Sequence, residues 1–244
     1  MVLREAVAPQ NYVALGRTLR AYPHPVEGAR RYFLGSGDYP RDFPLRTPLG
    51  AVAPRLFSHN DMWTVNEIFC RQDYPAGPQT RVVVDIGSNI GISALWFLTR
   101  NSTARAYLYE PVPNNTARLR ANLAAFDGRW HLQEVAVADR SGEVVFGVEP
   151  SGRYGGIGVD TGSTITVPCR DINDVVAEVL EHERQIDVLK LDTEGIEMQT
   201  VAALRPELLP RITSIFLETE HPQPFHPERY DASYANQTLR LTTR

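Results

Sequence analysis

Val82-Val83-Val84-Asp85-Ile86-Gly87-Ser88-Asn89-Ile90-Gly91 is an apolar, mostly β-branched run broken by one carboxylate and closed by two glycines. A run with so little polar alternation predicts a strand buried on both faces, as in a parallel sheet covered by helices. Gly87 lets the backbone turn sharply, and Gly91 lets a helix or ligand come close, because neither carries a Cβ. Ile90 to Leu98 then reads as a helix with almost no polar face. A dinucleotide fingerprint, Gly-x-Gly-x-x-Gly, would need glycine where this chain has Asn89. The spacing Asp-x-Gly-x-x-x-Gly suits a nucleoside-bearing ligand without a pyrophosphate better. Asp85, Gly87, Ser88, Asn89 and Gly91 are therefore the first candidate contacts.

Outward from this turn the period keeps switching between strand and helix. Ala104 to Tyr109 reads as a strand, and Pro113-Asn114-Asn115 opens a helix through about Phe126. Trp130 to Val137 reads as a third strand, and Asp139-Arg140-Ser141-Gly142 turns it into a hairpin element, Glu143 to Val148. Ser151 to Gly158, with four glycines, reads as a loop. Thr164 to Pro168 is a short strand, and Asp171 or Asn173 can cap a helix to about Glu183. Ile186 to Leu191, Gly195 to Leu204 and Ile212 to Leu217 follow as strand, helix and strand. This alternation predicts an α/β fold, a doubly wound and mostly parallel sheet with right-handed crossovers.

Such sheets bind ligands outside the carboxyl ends of their strands. Glu110, at the second strand's tip, can accept hydrogen bonds from the vicinal hydroxyls of a ribose. Asp139, after the third strand, can accept from an adenine amino group, or simply belong to an ordinary turn. In Lys190-Leu191-Asp192-Thr193-Glu194-Gly195-Ile196-Glu197 alternation places Lys190 and Asp192 on one side of the strand. A carboxylate at a buried strand end is costly without a partner or a function. Glu194 and Glu197 either share a helical face or favour the first turn through the dipole.

Residues 1 to 80 are rich in turn formers, including Pro23-His24-Pro25 and Gly35-Ser36-Gly37-Asp38-Tyr39-Pro40, with a short helix permitted over Asn60 to Cys70. They read as an N-terminal cap or lid segment, with residues 81–244 as the catalytic domain. His59, Asn60 and Trp63 from the cap, with Tyr154 from the glycine loop, are candidate substrate contacts. Cys70 and Cys169 lie far apart with no ligand or disulfide spacing around them, so both are expected to be reduced. A net charge of -4 with scattered arginines gives no footprint for nucleic acid. No apolar run approaches the ~20 residues of a membrane span, and the first residues lack the apolar core of a signal peptide. These features point to a cytoplasmic protein with a small-molecule substrate.

Taken together, Asp85 to Gly91, Glu110-Pro111-Val112-Pro113 with Leu119 and Asn122-Leu123, Ala138 to Gly142, and Lys190 to Glu197 resemble the FkbM-like methyltransferases. The resemblance spans roughly residues 81 to 220 with four motifs in order. It implies a class I methyltransferase (Rossmann-like) fold using S-adenosylmethionine, commonly for O-methylation of hydroxyls on sugars, polyketides and other secondary metabolites. Asp192 would then serve both cofactor and catalysis, with Glu194 orienting the acceptor or taking its proton and His221 as a further base. A variant assisted by Mg2+, held by Asp192, Glu218 and Glu220, is the runner-up. A nicotinamide-dependent oxidoreductase and a non-catalytic cofactor-binding protein are the alternatives outside that class.

One departure concerns the last strands. Only Glu218 to Arg244 follow the strand at 212–217, and Tyr234 to Thr242 offers one alternating strand. The sheet edge is then shortened, completed by a partner chain in a homo-oligomer, or continued by residues beyond this sequence.

Overall fold

The computed structural model describes residues 16–35, 37–149 and 155–244. The chain divides between Pro75 and Ala76 into two compact units. In the first, helix α1 (Pro25–Leu34) has proline in its first turn and ends at Gly35 in the left-handed conformation (φ 60°), whose N–H donates to the Arg31 carbonyl. Two short antiparallel ladders follow, β1 (Arg41–Asp42) with β4 (Arg55–Leu56), and β2 (Leu45–Thr47) with β3 (Gly50–Val52). Helix α2 (His59–Val65) starts at Ser58, whose hydroxyl accepts from the Asp61 N–H while the Asp61 carboxylate accepts from the Ser58 N–H. It continues as a π-helical turn over Asn66–Arg71, so the short helix expected here is present and changes its pitch halfway.

The second unit is built on β5 (Val82–Ile86), in which every residue is buried. After it come α3 (Ile92–Leu98), β6 (Arg105–Tyr109), α4 (Pro113–Leu123), β7 (Trp130–Gln133), β8 (Ala136–Ala138), β9 (Gly142–Gly147) and β10 (Thr164–Asp171). Helix α5 (Ile172–His182), β11 (Ile186–Leu191), α6 (Glu197–Ala202), β12 (Ile212–Glu218), β13 (Tyr230–Ala235) and β14 (Thr238–Thr243) complete it. Seven strands form the central sheet in the order β13-β14-β12-β11-β5-β6-β7. β14 runs opposite to the other six strands of this sheet. The chain winds from β5 to β6 and β7, then returns to β11 and β12 on the other side. The order therefore reverses beside β5, and the crevice at the carboxyl ends of β5 and β11 is the switch point where ligands bind.

Period-2 alternation gives β5 two packed faces. Val82, Val84 and Ile86 share a core cluster with Ile172, Val175, Val176 and Val179 of α5 and with Val201 beside it on α6. Asp85 points the other way, toward Ser93 of α3. Helix α3 is buried along its whole length, which is why it shows no polar face in sequence.

Two expectations need correction. The strand foreseen over Trp130 to Val137 is broken. β6 ends at Tyr109, its ladder with β7 closes where Glu110 N–H donates to the Gln133 carbonyl, and the residues beyond find their partners elsewhere. Ala136–Ala138 runs parallel to the end of β10, and with β9 these form a separate three-stranded sheet, β8-β10-β9. The strand foreseen over Tyr234 to Thr242 is two strands. Asn236 and Gln237 both have positive φ (52° and 60°), the conformation of a two-residue hairpin turn, so β13 and β14 pair with each other and β14 lies along β12. The chain thus supplies the antiparallel edge of its own sheet.

Candidate active site

The loop after β5 is shaped by its glycines. Gly87 has φ 78°, and a Cβ there would stand 1.8 Å from the Asp192 carbonyl oxygen, so only glycine lets the β5 and β11 loops meet this closely. Gly91 (φ 87°) opens α3, and a Cβ there would press on Leu119 of α4 at 3.1 Å. Ser88 is buried, its hydroxyl donating to the Asp85 carbonyl at 2.7 Å and accepting from the Tyr109 N–H at 3.3 Å. Asn89, also left-handed (φ 46°), donates its N–H to Glu110 Oε2 at 2.9 Å.

Glu110 is 5% exposed. Its Oε1 accepts from the Val112 N–H at 3.0 Å and from the Asn115 amide at 3.4 Å. Burial pushes its carboxyl up to about 7, against the opposing effect of the Val112 and Asn89 N–H groups, the Asn115 amide and the Lys190 charge. Each carboxylate oxygen can accept about two hydrogen bonds, so Oε2, which takes only the Asn89 N–H, keeps capacity for a further donor.

The β11 end is held by one buried cation. Lys190, 1% exposed, places Nζ 3.0 Å from Asp85 Oδ1, 3.2 Å from Asp192 Oδ2 and 3.0 Å from the Gly87 carbonyl oxygen. Burial alone would lower its affinity for the proton; Asp85 and Asp192 outweigh it, and the ammonium is held well above its ordinary value. Beyond Asp192 the backbone passes through Glu194 (φ 60°) and Gly195 (φ 113°). Glu197, 2% exposed, organises this bend by accepting from the Thr193 N–H and hydroxyl and from the Gly195 N–H. Glu197 is thus a loop anchor, held by the Thr193 and Gly195 N–H groups and the Thr193 hydroxyl, on the border of the second cleft.

Two clefts meet here. The first opens between the loops that follow β5, β6 and β11 and the end of β9. Its polar side is Gly87, Asn89 and Glu110, and its apolar side is Val112, Val135, Phe146, Val148 and Ile157. The second is open and polar, with Glu218, Thr219, Glu220, His221 and Gln237 along it. Asp192 and Glu194 line both.

The structure gathers some foreseen site residues and disperses others. Gly87, Asn89, Glu110, Asp192 and Glu194 converge on the first cleft, and His221 lies on the second. Asp85, Ser88 and Gly91 stand behind the wall: Asp85 is fully buried, held by Ser93 and Lys190, and these residues shape the loop. Asp139 stands outside the lining of the first cleft, its carboxylate accepting from Gln199 of α6 (2.7 Å) and pairing with Arg140. The apolar wall given by Phe146 of β9, Val148 and Ile157 was missed in sequence; its signal was the inward alternation of Val144 and Phe146. His59, Asn60 and Trp63 sit on α2 of the N-terminal unit, where His59 and Trp63 pack edge to face at 4.9 Å. Tyr154 lies outside the described residues. The Mg2+ set of Asp192, Glu218 and Glu220 is corrected as well: among the described residues no three acidic, His or Cys side chains are placed to hold a metal ion. Among them, too, no helix is long and apolar enough to cross a membrane.

Strand order, glycine loop and carboxylates at successive strand tips define a class I methyltransferase. The FkbM methyltransferase domain family matches residues 85–238, and this chain belongs to that family. The nicotinamide alternative is set aside by this membership. The FkbM protein of Streptomyces tacrolimicus, a 31-O-demethyl-FK506 methyltransferase, is 26% identical over 210 residues, covering 71% of this chain and 80% of its own length. The 2-O-methyltransferase NoeI of Sinorhizobium fredii is 42% identical over 65 residues. That match spans 27% of this chain and only about a quarter (26%) of NoeI. Among solved structures, an FkbM methyltransferase from Methylobacillus flagellatus aligns with TM-score 0.49 at 13% identity, over 75% of this chain and 54% of its own.

Proposed function

We propose that this chain transfers the methyl group of S-adenosylmethionine to a hydroxyl of a small molecule, with the donor in the first cleft and the acceptor in the second. The observation that carries this reading is that Asp192 and Glu194 line both clefts, so two carboxylates stand where two ligands would meet. The donor-side residues fit the cofactor. The glycine at 87 brings the loops together, Glu110 offers an acceptor suited to a ribose hydroxyl, and an apolar wall suits a flat base. That relatives are named as O-methyltransferases supports oxygen as the target atom.

S-adenosylmethionine supplies a methyl group on a sulfonium, which leaves as a neutral thioether. Asp192 or Glu194 accepts a hydrogen bond from the acceptor hydroxyl, aims its lone pair at the methyl, and takes the proton as the O–C bond forms and the S–C bond breaks. His221, on the second cleft, can relay that proton outward. Holding the two reactants in one geometry contributes on the order of 7–11 kcal/mol at best.

Calorimetry with S-adenosylhomocysteine and NAD tests the donor, with binding expected for the first alone. Incubation with radiolabelled S-adenosylmethionine and panels of glycosides and macrolide alcohols tests the acceptor, with label expected in an alkali-stable ether. Label found only in alkali-labile esters overturns the hydroxyl assignment. Asp192→Asn should then lower turnover by roughly 100-fold or more, with melting shifted by no more than about 3 °C; a variant as active as the wild type removes Asp192 from catalysis.

A further inference from the structure

Lys190 reaches both halves of the site from behind. Its ammonium donates to the Gly87 carbonyl oxygen at 3.0 Å and forms ion pairs with Asp85 Oδ1 at 3.0 Å and Asp192 Oδ2 at 3.2 Å. Two of these acceptors are fixed. Asp85 is buried and also accepts from Ser93 of α3 at 2.6 Å, and the Gly87 carbonyl belongs to a loop closed by the Ser88 hydroxyl. The third is the carboxylate shared by the two clefts, whose side chain is 28% exposed. A lysine present merely to neutralise buried Asp85 would need only that contact. This one continues to the cofactor loop and to Asp192, with Glu218 adding a further negative charge nearby.

The geometry points to Lys190 as a positioning residue: its ammonium ties the Gly87 carbonyl and the Asp192 carboxylate to one buried point, so that seating the cofactor against the loop and orienting Asp192 become a single event. This rests on the two-cleft reading proposed above. With Oδ2 turned to the ammonium, Asp192 presents Oδ1 to the acceptor hydroxyl. A ligand seated against the β5 loop changes the surroundings of the Gly87 carbonyl and is felt at Asp192 through Nζ, with no change of backbone in β11.

The test needs no acceptor. The Lys190 ammonium is followed by nitrogen-15 NMR in the wild-type chain, assigned with Lys190→Arg, on titration with S-adenosylhomocysteine and in Asp192→Asn. The signal is expected to move in both cases. In Lys190→Met, and in Lys190→Met with Asp85→Asn, which removes both buried charges together, S-adenosylhomocysteine should bind about tenfold more weakly or worse. A Lys190 signal unmoved by saturating S-adenosylhomocysteine overturns the tie whether or not the variants fold, and leaves the donor reading standing. In folded variants, affinity within twofold of the wild type overturns it as well. Absence of any S-adenosylhomocysteine binding to the wild type removes the donor reading itself, and the tie with it.

Discussion

Glu110 shows how a single carboxyl can link cofactor binding to pH. Its carboxyl in the free fold is pushed up to about 7 by burial, while an unfolded chain would ionise it in the ordinary range. The folded value lies above the unfolded one, so the stability contributed by this group is fully present below the unfolded value and is lost as pH rises through about 7. Ribose hydroxyls donate best to the ionised form, so binding must draw the proton off. Affinity for S-adenosylhomocysteine is therefore expected to rise roughly tenfold between pH 6 and pH 8, with proton release near neutrality. Calorimetry in buffers of different ionisation enthalpy reads that release, and a flat profile with no released proton removes Glu110 from ribose binding. Glu110 was legible in sequence because its role needs only a carboxylate at a strand tip, a local property. Lys190 was legible only as an ion-pair partner. Its reach to Gly87 depends on β11 lying beside β5, a pairing between residues about a hundred apart in the chain.

At the scale of elements, the small sheet is where sequence and structure part most. The order of strands and helices in the central sheet could be read from period and turn chemistry, because each element carries its own pattern. The break between β7 and β8 could not, because it arises when β6 ends and β10 becomes the better partner, a competition between distant segments. In this small sheet Asp139 accepts from Gln199 of α6. The sheet's side toward the cleft is the end of β9, against which residues 155–159 are laid. Gly147 N–H donates to the Gly156 carbonyl at 2.9 Å and Gly158 N–H to the Val145 carbonyl at 3.3 Å. A Cβ on Gly147 would meet the Val159 carbonyl oxygen at 2.1 Å, so this packing requires glycine for its closeness. Gly147→Ala is expected to push the segment off β9 and displace Ile157 from the cleft. Binding of S-adenosylhomocysteine should then fall about tenfold, while melting drops by only about 2–4 °C, the effect of roughly 1 kcal/mol in a domain of this size. Unchanged affinity in the folded variant would show that this wall does not touch the cofactor.

At the scale of the whole molecule, the division at Pro75 and Ala76 raises the question of which unit carries donor binding. The described residues lining the donor cleft fall between Ile86 and Glu194, and the two core clusters of the second unit run from Val82 to Leu241. The sheet is closed at its far edge by the β13–β14 hairpin from the same unit. The second unit is therefore expected to bind the donor by itself. A fragment spanning residues 76–244 is expected to melt cooperatively and to bind S-adenosylhomocysteine within about threefold of the full chain, a difference of well under 1 kcal/mol. Any role of the first unit in acceptor choice would leave that affinity intact and appear only as lost methyl transfer. A fragment that melts cooperatively yet binds more than about tenfold more weakly would place part of the donor site in residues 1–75.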